Sequence, residues 1–457
     1  MAGIGFELRK ALHKDRMLSL AKVYGYSAIL SSGPWVISIV AILLVGFLNL
    51  AHIGEVKDAF RFQVVITYAI ALASSLIITG ILQLPFTRYI ADLIFEERED
   101  EVLPSYFGAI LLAWGLGIVF ITPLYIWVFE GLPVSLVIGA VLTFMILCGV
   151  WISSILAASL KYYVPVVWAY LLSYTFIVIA SYLFGNSIQM LLYIFFTGNA
   201  VLFVILMSLI IKSYPSTIFL KIDFILEKNF YLTLGIAGLA YNLGAWIDKF
   251  VFWYHPATGE AVIGKLHASI VYDMPIFLAY LSIIPGMAIF FFRLEADFAE
   301  KYDLYYDAVR SGGTLELIKQ YRNEMSMIIR QAIREILIVQ GITDVIMFLT
   351  APIIFDLLGI SVIYLGLFYI LAIGALLQLA FMSILAILYY LDRRKAAMWL
   401  SLAFFVLNGI LTLLSINMGT AMYGYGYTVS LLIVFTLSAI VIREEMKRLN
   451  YETFMLQ

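Results

Sequence analysis

Apolar stretches of about twenty or more residues alternate with short polar gaps along the whole chain. They run at about 24–50, 63–86, 105–129, 132–159, 163–184, 188–211, 231–254, 268–292, 333–355, 361–391, 397–416 and 424–442. A run of about 20 apolar residues crosses the hydrocarbon core as a helix, so the pattern predicts twelve transmembrane helices. Several stretches exceed 25 residues, which predicts tilted or kinked spans. The expected fold is an all-α polytopic membrane protein. The first stretch is too long for a signal-peptide core and has no small-residue cleavage site, so no leader is expected to be removed.

Composition agrees: 63% of residues are hydrophobic and only 13% charged, with a mean hydropathy of +1.00. The net charge of −2 says little about partners, but the placement of the charges says more. Of 28 Lys and Arg residues, all but Lys57, Arg61, Lys249 and Lys265 fall in alternate gaps between the stretches. Basic residues beside membrane segments stay on the cytoplasmic side. Both termini are therefore expected in the cytoplasm. An odd helix count would spoil the alternation.

The chain also repeats itself. Gly33-Pro34-Trp35-Val36 in the first stretch is matched by Gly244-Ala245-Trp246-Ile247 in the seventh. Phe86-Thr87-Arg88-Tyr89-Ile90-Ala91-Asp92 ends the second, and Phe291-Phe292-Arg293-Leu294-Glu295-Ala296-Asp297 ends the eighth. Both matches recur at six-helix spacing, and six is even. Two halves of like orientation are predicted, related by an axis along the membrane normal. The expected organisation is a cytoplasmic amphipathic segment at 1–23, a six-helix lobe at 24–215, a linker at 216–230, a second six-helix lobe at 231–442 and a cytoplasmic tail at 443–457. A cytoplasmic helical insert is expected at 293–332, broken at Ser311-Gly312-Gly313, with Thr314 capping a second helix that runs into the ninth stretch. It reads either as an interfacial linker or as a docking element.

A charge inside the bilayer costs a few kcal/mol or more and usually faces a partner or a cavity. Asp344 lies about 16 Å into the ninth stretch at 1.5 Å per residue. Asp273 is expected a turn or more inside the eighth, and Asp248 near the outer end of the seventh, followed by Lys249. Neighbouring helical residues point apart, which leaves Lys249 free to reach Asp273 instead of Asp248. The amides Asn199, Asn242, Gln340, Gln378, Asn408 and Asn417 are equally suited to gluing helices and to lining a sugar pathway. Gly33-Pro34 predicts a kink, because proline removes a backbone hydrogen bond. Pro275 and Pro285 are similar candidates.

Enzyme chemistry finds no support. Gly259-Glu260-Ala261-Val262-Ile263-Gly264-Lys265-Leu266 resembles a phosphate-binding loop but lacks the final Ser or Thr. No pair of the four histidines has zinc-ligand spacing, and the single Cys148 excludes an intrachain disulfide. No cofactor and no nucleic-acid partner is expected. The acidic run at 96–101 reads as a solvated loop.

The opening Met1-Ala2-Gly3-Ile4-Gly5-Phe6-Glu7-Leu8-Arg9-Lys10, then Tyr24-Gly25-Tyr26 and Ser31-Ser32-Gly33-Pro34-Trp35, closely resembles the PelG family. Those proteins are inner-membrane transporters of the bacterial Pel exopolysaccharide system. They resemble the multidrug/oligosaccharidyl-lipid/polysaccharide exporter superfamily, which has two six-helix lobes around a central cavity. The resemblance implies export of an amino-sugar-rich, partly cationic polysaccharide during biofilm formation. It also implies a complex with a cytoplasmic glycosyltransferase and a cyclic-di-GMP-responsive subunit. Cation-coupled efflux of small molecules and a non-transporting scaffold for a synthase are the alternatives.

Overall fold

The computed structural model describes residues 34, 36–46, 48, 56–66, 73–159, 163–226, 231–358 and 360–455. The first helices in chain order are α1 (Val36–Gly46), α2 (Val56–Val65), α3 (Ala73–Phe95), α4 (Val102–Leu116) and α5 (Thr122–Val128). Then follow α6 (Val134–Ser159), α7 (Tyr163–Phe184), α8 (Ile188–Ser213), the short α9 (Asp223–Leu226) and α10 (Leu232–Tyr254). An antiparallel hairpin, β1 (Glu260–Ile263) and β2 (Leu266–Ala268), leads into α11 (Ile270–Ser282) and α12 (Ile284–Phe292). The chain closes with α13 (Ala299–Arg310), α14 (Leu315–Leu357), α15 (Leu365–Tyr390), α16 (Arg394–Asn417) and α17 (Tyr425–Met455). Among the described residues nine helices are long and apolar enough to cross a membrane, and α11 with its bent continuation makes a tenth.

Most spans lie where apolar length put them, and the departures have local causes. In the second span α3 runs over Ala73–Phe95 with α2 before it, and residues 67–72 lie outside the described residues. The third is continuous through a π-turn, Gly117–Ile121, between α4 and α5. Pro123 sits at the start of α5 with no N–H to give to the preceding turn, which favours such a shift in hydrogen bonding. The ninth begins far earlier than 333. As α14 it runs 43 residues, about 65 Å and twice the hydrocarbon thickness. Thr314 caps it as expected, its Oγ1 accepting from Leu317 N at 3.3 Å. Gly312, at φ +70°, supplies the left-handed turn that separates α13 from α14. The expected tail is helical too, since α17 continues to Met455. There Tyr305 Oη of α13 donates to Asn450 Oδ1 and Thr453 Oγ1, both at 3.2 Å. The segment 1–23, Gly33 and residues 227–230 lie outside the described residues, and with Gly33 the expected Gly33-Pro34 kink.

The chain divides into two compact units at Ile270/Val271. By contact, α10 groups with the first of these units. Backbone contact explains it. A Cβ on Gly238 of α10 would lie 2.3 Å from the Gly80 carbonyl oxygen of α3, and one on Gly235 would lie 2.9 Å from the Ile81 oxygen. Small residues let membrane helices approach this closely. Each unit buries its own aromatic core: Phe62, Phe86, Tyr106, Phe144 and Phe195 in the first, Phe355, Phe368, Phe381, Phe404 and Tyr427 in the second.

Candidate transport site

In the second unit, Pro285 marks the break between α11 and α12, which bends the span by 41°. At that break the Ser282 carbonyl accepts from Gln340 Nε2 of α14 at 3.1 Å. The same Nε2 donates to Asp344 Oδ1, one turn further along α14, at 2.8 Å. Ser282 Oγ reaches Asp344 Oδ1 at 3.4 Å. Gln340 and Asp344 are both buried, at 0% and 3% exposure. Two acceptors remain. Asp344 Oδ2 and Gln340 Oε1 have no hydrogen-bond donor among the described residues. Gly286 makes room for the amide, because a Cβ there would sit 2.9 Å from Gln340 Oε1. A buried carboxylate oxygen without a donor is costly. A proton or a cation at Asp344 would relieve that cost.

The other carboxylates differ. Asp248 and Lys249 are buried near the end of α10 and pair with each other, Nζ to Oδ2 at 3.2 Å. Lys249 also donates to the Ala245 carbonyl at 2.9 Å and lies 5.6 Å from the Trp246 ring centroid. Its long stem folds back along the helix, which overrides the divergence of neighbouring Cβ atoms. Asp273 sits in the first turn of α11, half-buried. That is shallower than the apolar pattern suggested, because the helix starts only at Ile270. A carboxylate is favoured there by the helix dipole.

Asn199, Asn242 and Gln378 tie helices together. Asn199 accepts from Tyr174 Oη at 3.3 Å and donates to the Phe195 carbonyl at 2.9 Å. Asn242 donates to the Leu76 carbonyl of α3 at 2.9 Å. Gln378 accepts from Tyr427 Oη at 2.6 Å, and Asn408 from Thr412 Oγ1 at 3.0 Å. Asn417 is exposed and bonds within its own helix.

Two features escaped the sequence reading. On α3, Ser75, Thr79, Gln83 and Thr87 form a ladder in which the last three side chains each bond the residue four before: Thr79 to Ser75 O, Gln83 to Thr79 Oγ1, Thr87 to Gln83 O. Its four-residue spacing was a legible signal. It leads to the second feature. At the repeated Phe-x-Arg-x-x-Ala-Asp, Arg88 pairs with Asp92 at 3.2 Å and Arg293 pairs with Asp297. Each pair ties to another helix of its own unit. Asp92 accepts from Tyr231 Oη at 2.5 Å beside a cavity of about 80 Å³. Arg293 forks onto Glu335 of α14, at 2.8 and 2.5 Å. Serine 282 gave no signal at all, since its partners lie about 60 residues away.

Loop charges are paired as well. Lys221 binds Glu101, and that carboxylate pushes the Lys221 ammonium up to about 12. Lys265 binds Glu130 at 2.9 Å, which holds the Glu130 carboxyl below the usual range. The segment resembling a phosphate loop is the β1–β2 hairpin, with Gly264 at φ +57° beside the Val128 carbonyl and no helix N-terminus to receive a phosphate. Among the described residues no group of three metal-ligating side chains occurs.

A chain of nine or more helices long and apolar enough to cross a bilayer, with one span broken against a buried carboxylate, is a multi-pass membrane protein. Solved structures share this fold. A MOP superfamily transporter from Pyrococcus furiosus matches with a TM-score of 0.66 at 13% identity, over 93% of this chain and 96% of that one. A MATE solved in complex with MaL6 matches at 0.68 and 10%, over 94% and 96%. The eukaryotic MATE transporter AtDTX14 matches at 0.63 and 13%, over 98% and 100%. A search of curated proteins finds no match. The family model described as "PelG: Putative exopolysaccharide Exporter (EPS-E)" matches residues 1–454. The chain belongs to that family.

Proposed function

We propose that this chain exports a partly cationic, amino-sugar-rich exopolysaccharide across the bacterial inner membrane for a biofilm matrix, and that Asp344 couples the export to a proton or cation. The observation that carries the coupling element is the buried Asp344 Oδ2 without a donor, set against a helix broken at Ile283. Protonation or cation binding at that oxygen changes the charge of a site that touches both sides of the break. That gives the ion a direct grip on the packing of α11 and α12 against α14. The exporter family matched over nearly the whole chain supports the glycan reading. Asp273 and Asp344 are the carboxylates that attract ammonium substituents, while Asp248 is neutralised by Lys249. Asn199, Asn242, Gln340, Gln378 and Asn408 supply amide donors and acceptors. A cytoplasmic glycosyltransferase and a cyclic-di-GMP-responsive subunit are the partners this reading requires.

The test is deletion and restoration of the chain, with polymer measured both outside and inside the cell. Loss outside with polymer or precursor retained inside supports export. Loss of both points to a scaffold for synthesis, and unchanged export points to small-molecule efflux.

A further inference from the structure

The exposed face of α14 changes character along its length. Ile338, Ile342, Val345, Ile346, Leu349, Ile353 and Leu357 are all exposed, at spacings of one helical face. From Ile338 to Leu357 this stripe is about 30 Å long at 1.5 Å per residue, the thickness of the hydrocarbon core. It is therefore the lipid-facing side of the helix, and its ends mark the two membrane boundaries. The next residues on the same face, one and two turns beyond Ile338, are Arg334 and Arg330.

Both arginines are exposed, and among the described residues neither makes an ion pair or a hydrogen bond. Like charges at i and i+4 repel. No acidic side chain stands three or four residues from either one. Glu335, the nearest acid along the helix, is engaged by Arg293. Two unneutralised guanidinium groups thus sit about 6 and 12 Å above the edge of the hydrocarbon, where phospholipid phosphates lie. They are on the side that the basic-residue pattern predicts to be cytoplasmic.

We infer that Arg330 and Arg334 form a binding site for an anionic phospholipid, the two guanidinium groups holding the headgroup phosphate while the acyl chains lie along Ile338, Ile342 and Val345. The site is independent of what the protein exports. Its position bears on the transport element, because Asp344 and the Arg293 partner Glu335 are carried by the same helix. A lipid held at Arg334 fixes the depth of that helix in the bilayer.

The experiment uses the purified full-length protein in detergent, with phosphatidylglycerol or phosphatidylcholine added and bound lipid counted by native mass spectrometry. The wild type is expected to bind phosphatidylglycerol in preference. Substituting both arginines by glutamine (R330Q/R334Q) should weaken that binding about fivefold per arginine. R330K/R334K should keep most of it. K395Q, which removes an exposed cation on α16 next to the ion-paired Arg393 and Arg394, should leave it unchanged. An R330Q/R334Q protein that retains the wild-type preference, or a lysine variant that loses as much as the glutamine one, overturns the inference. A preference abolished by millimolar inorganic phosphate would also overturn it, by showing a site for a soluble anion.

Discussion

At Asp344 a single oxygen atom carries most of the argument. The carboxylate needs a proton or cation that no described side chain supplies, and Asn would supply an N–H donor in its place while keeping the bond from Gln340. Asp344→Asn is therefore expected to leave thermal stability equal or raised, and to lower export about tenfold or more at normal protein level. Polymer measured outside cells, with the protein quantified in membranes, checks both halves. Normal export by this variant removes the coupling role. Gly286 gives a second handle. A Cβ there meets Leu379 Cδ2 at 2.5 Å and Gln340 Oε1 at 2.9 Å, so Gly286→Val should cost about 1–3 kcal/mol by overpacking. It should also reduce export by shifting Gln340 away from Asp344. A thermal melt of the purified variant that matches wild type contradicts the crowding. Asp344 itself stood out in the sequence as a charge in an apolar run. Its partners were not, because Ser282 and Gly286 look like ordinary small residues until the fold sets them against α14.

Elements follow apolar length where nothing interrupts them, and caps and prolines where something does. The seam between α3 and α10 depends on bare backbone at Gly80 and Gly238. Gly238→Leu has no side-chain motion that relieves a 2.3 Å approach to a carbonyl oxygen. It is expected to force the helices apart and destabilise the first unit by about 1–3 kcal/mol. An undiminished rate of disulfide cross-linking between cysteines placed on α3 and α10 would refute this. At the start of α14, Thr314→Ala should cost about 1 kcal/mol of local stability. Faster amide hydrogen exchange confined to residues 315–318 is the expected signature. The break at 311–313 and this cap were readable as a string of turn residues. The run of this helix into the ninth span was readable too, and the structure shows the two as one unbroken helix of 43 residues.

On the scale of the whole molecule, the repeated Phe-x-Arg-x-x-Ala-Asp becomes a repeated device. In each unit it puts an arginine–aspartate pair at the end of a spanning helix and ties it to a second helix. The two copies differ in weight: Arg293 holds Asp297 and forks onto Glu335 with 21% of its side chain exposed, while Arg88 is 39% exposed. Arg293→Gln strands two partly buried carboxylates and should cost about 1–3 kcal/mol once solvent screening is allowed for. Arg88→Gln should cost less. Adding Glu335→Gln to the Arg293 variant should recover part of the loss, and a double variant no more stable than the single would count against the pairing. The repeat itself was visible as two short matches at similar offsets. What it does depended on Tyr231 and Glu335, which belong to no match.

The sequence alone determined that this is a polytopic helical membrane protein, roughly where its spans lie, that it repeats, and which family it resembles. These properties rest on local quantities: the apolar length needed to cross a bilayer, and short motifs read in order. The tertiary structure decided where the units divide, that Asp248 takes Lys249 as partner, and that Asp344 meets Gln340 and Ser282 at a broken helix. The unit boundary and the Ser282 contacts depend on residues tens of positions apart, and the Asp248–Lys249 pair on a side chain that folds back along its own helix, which the order of residues does not fix.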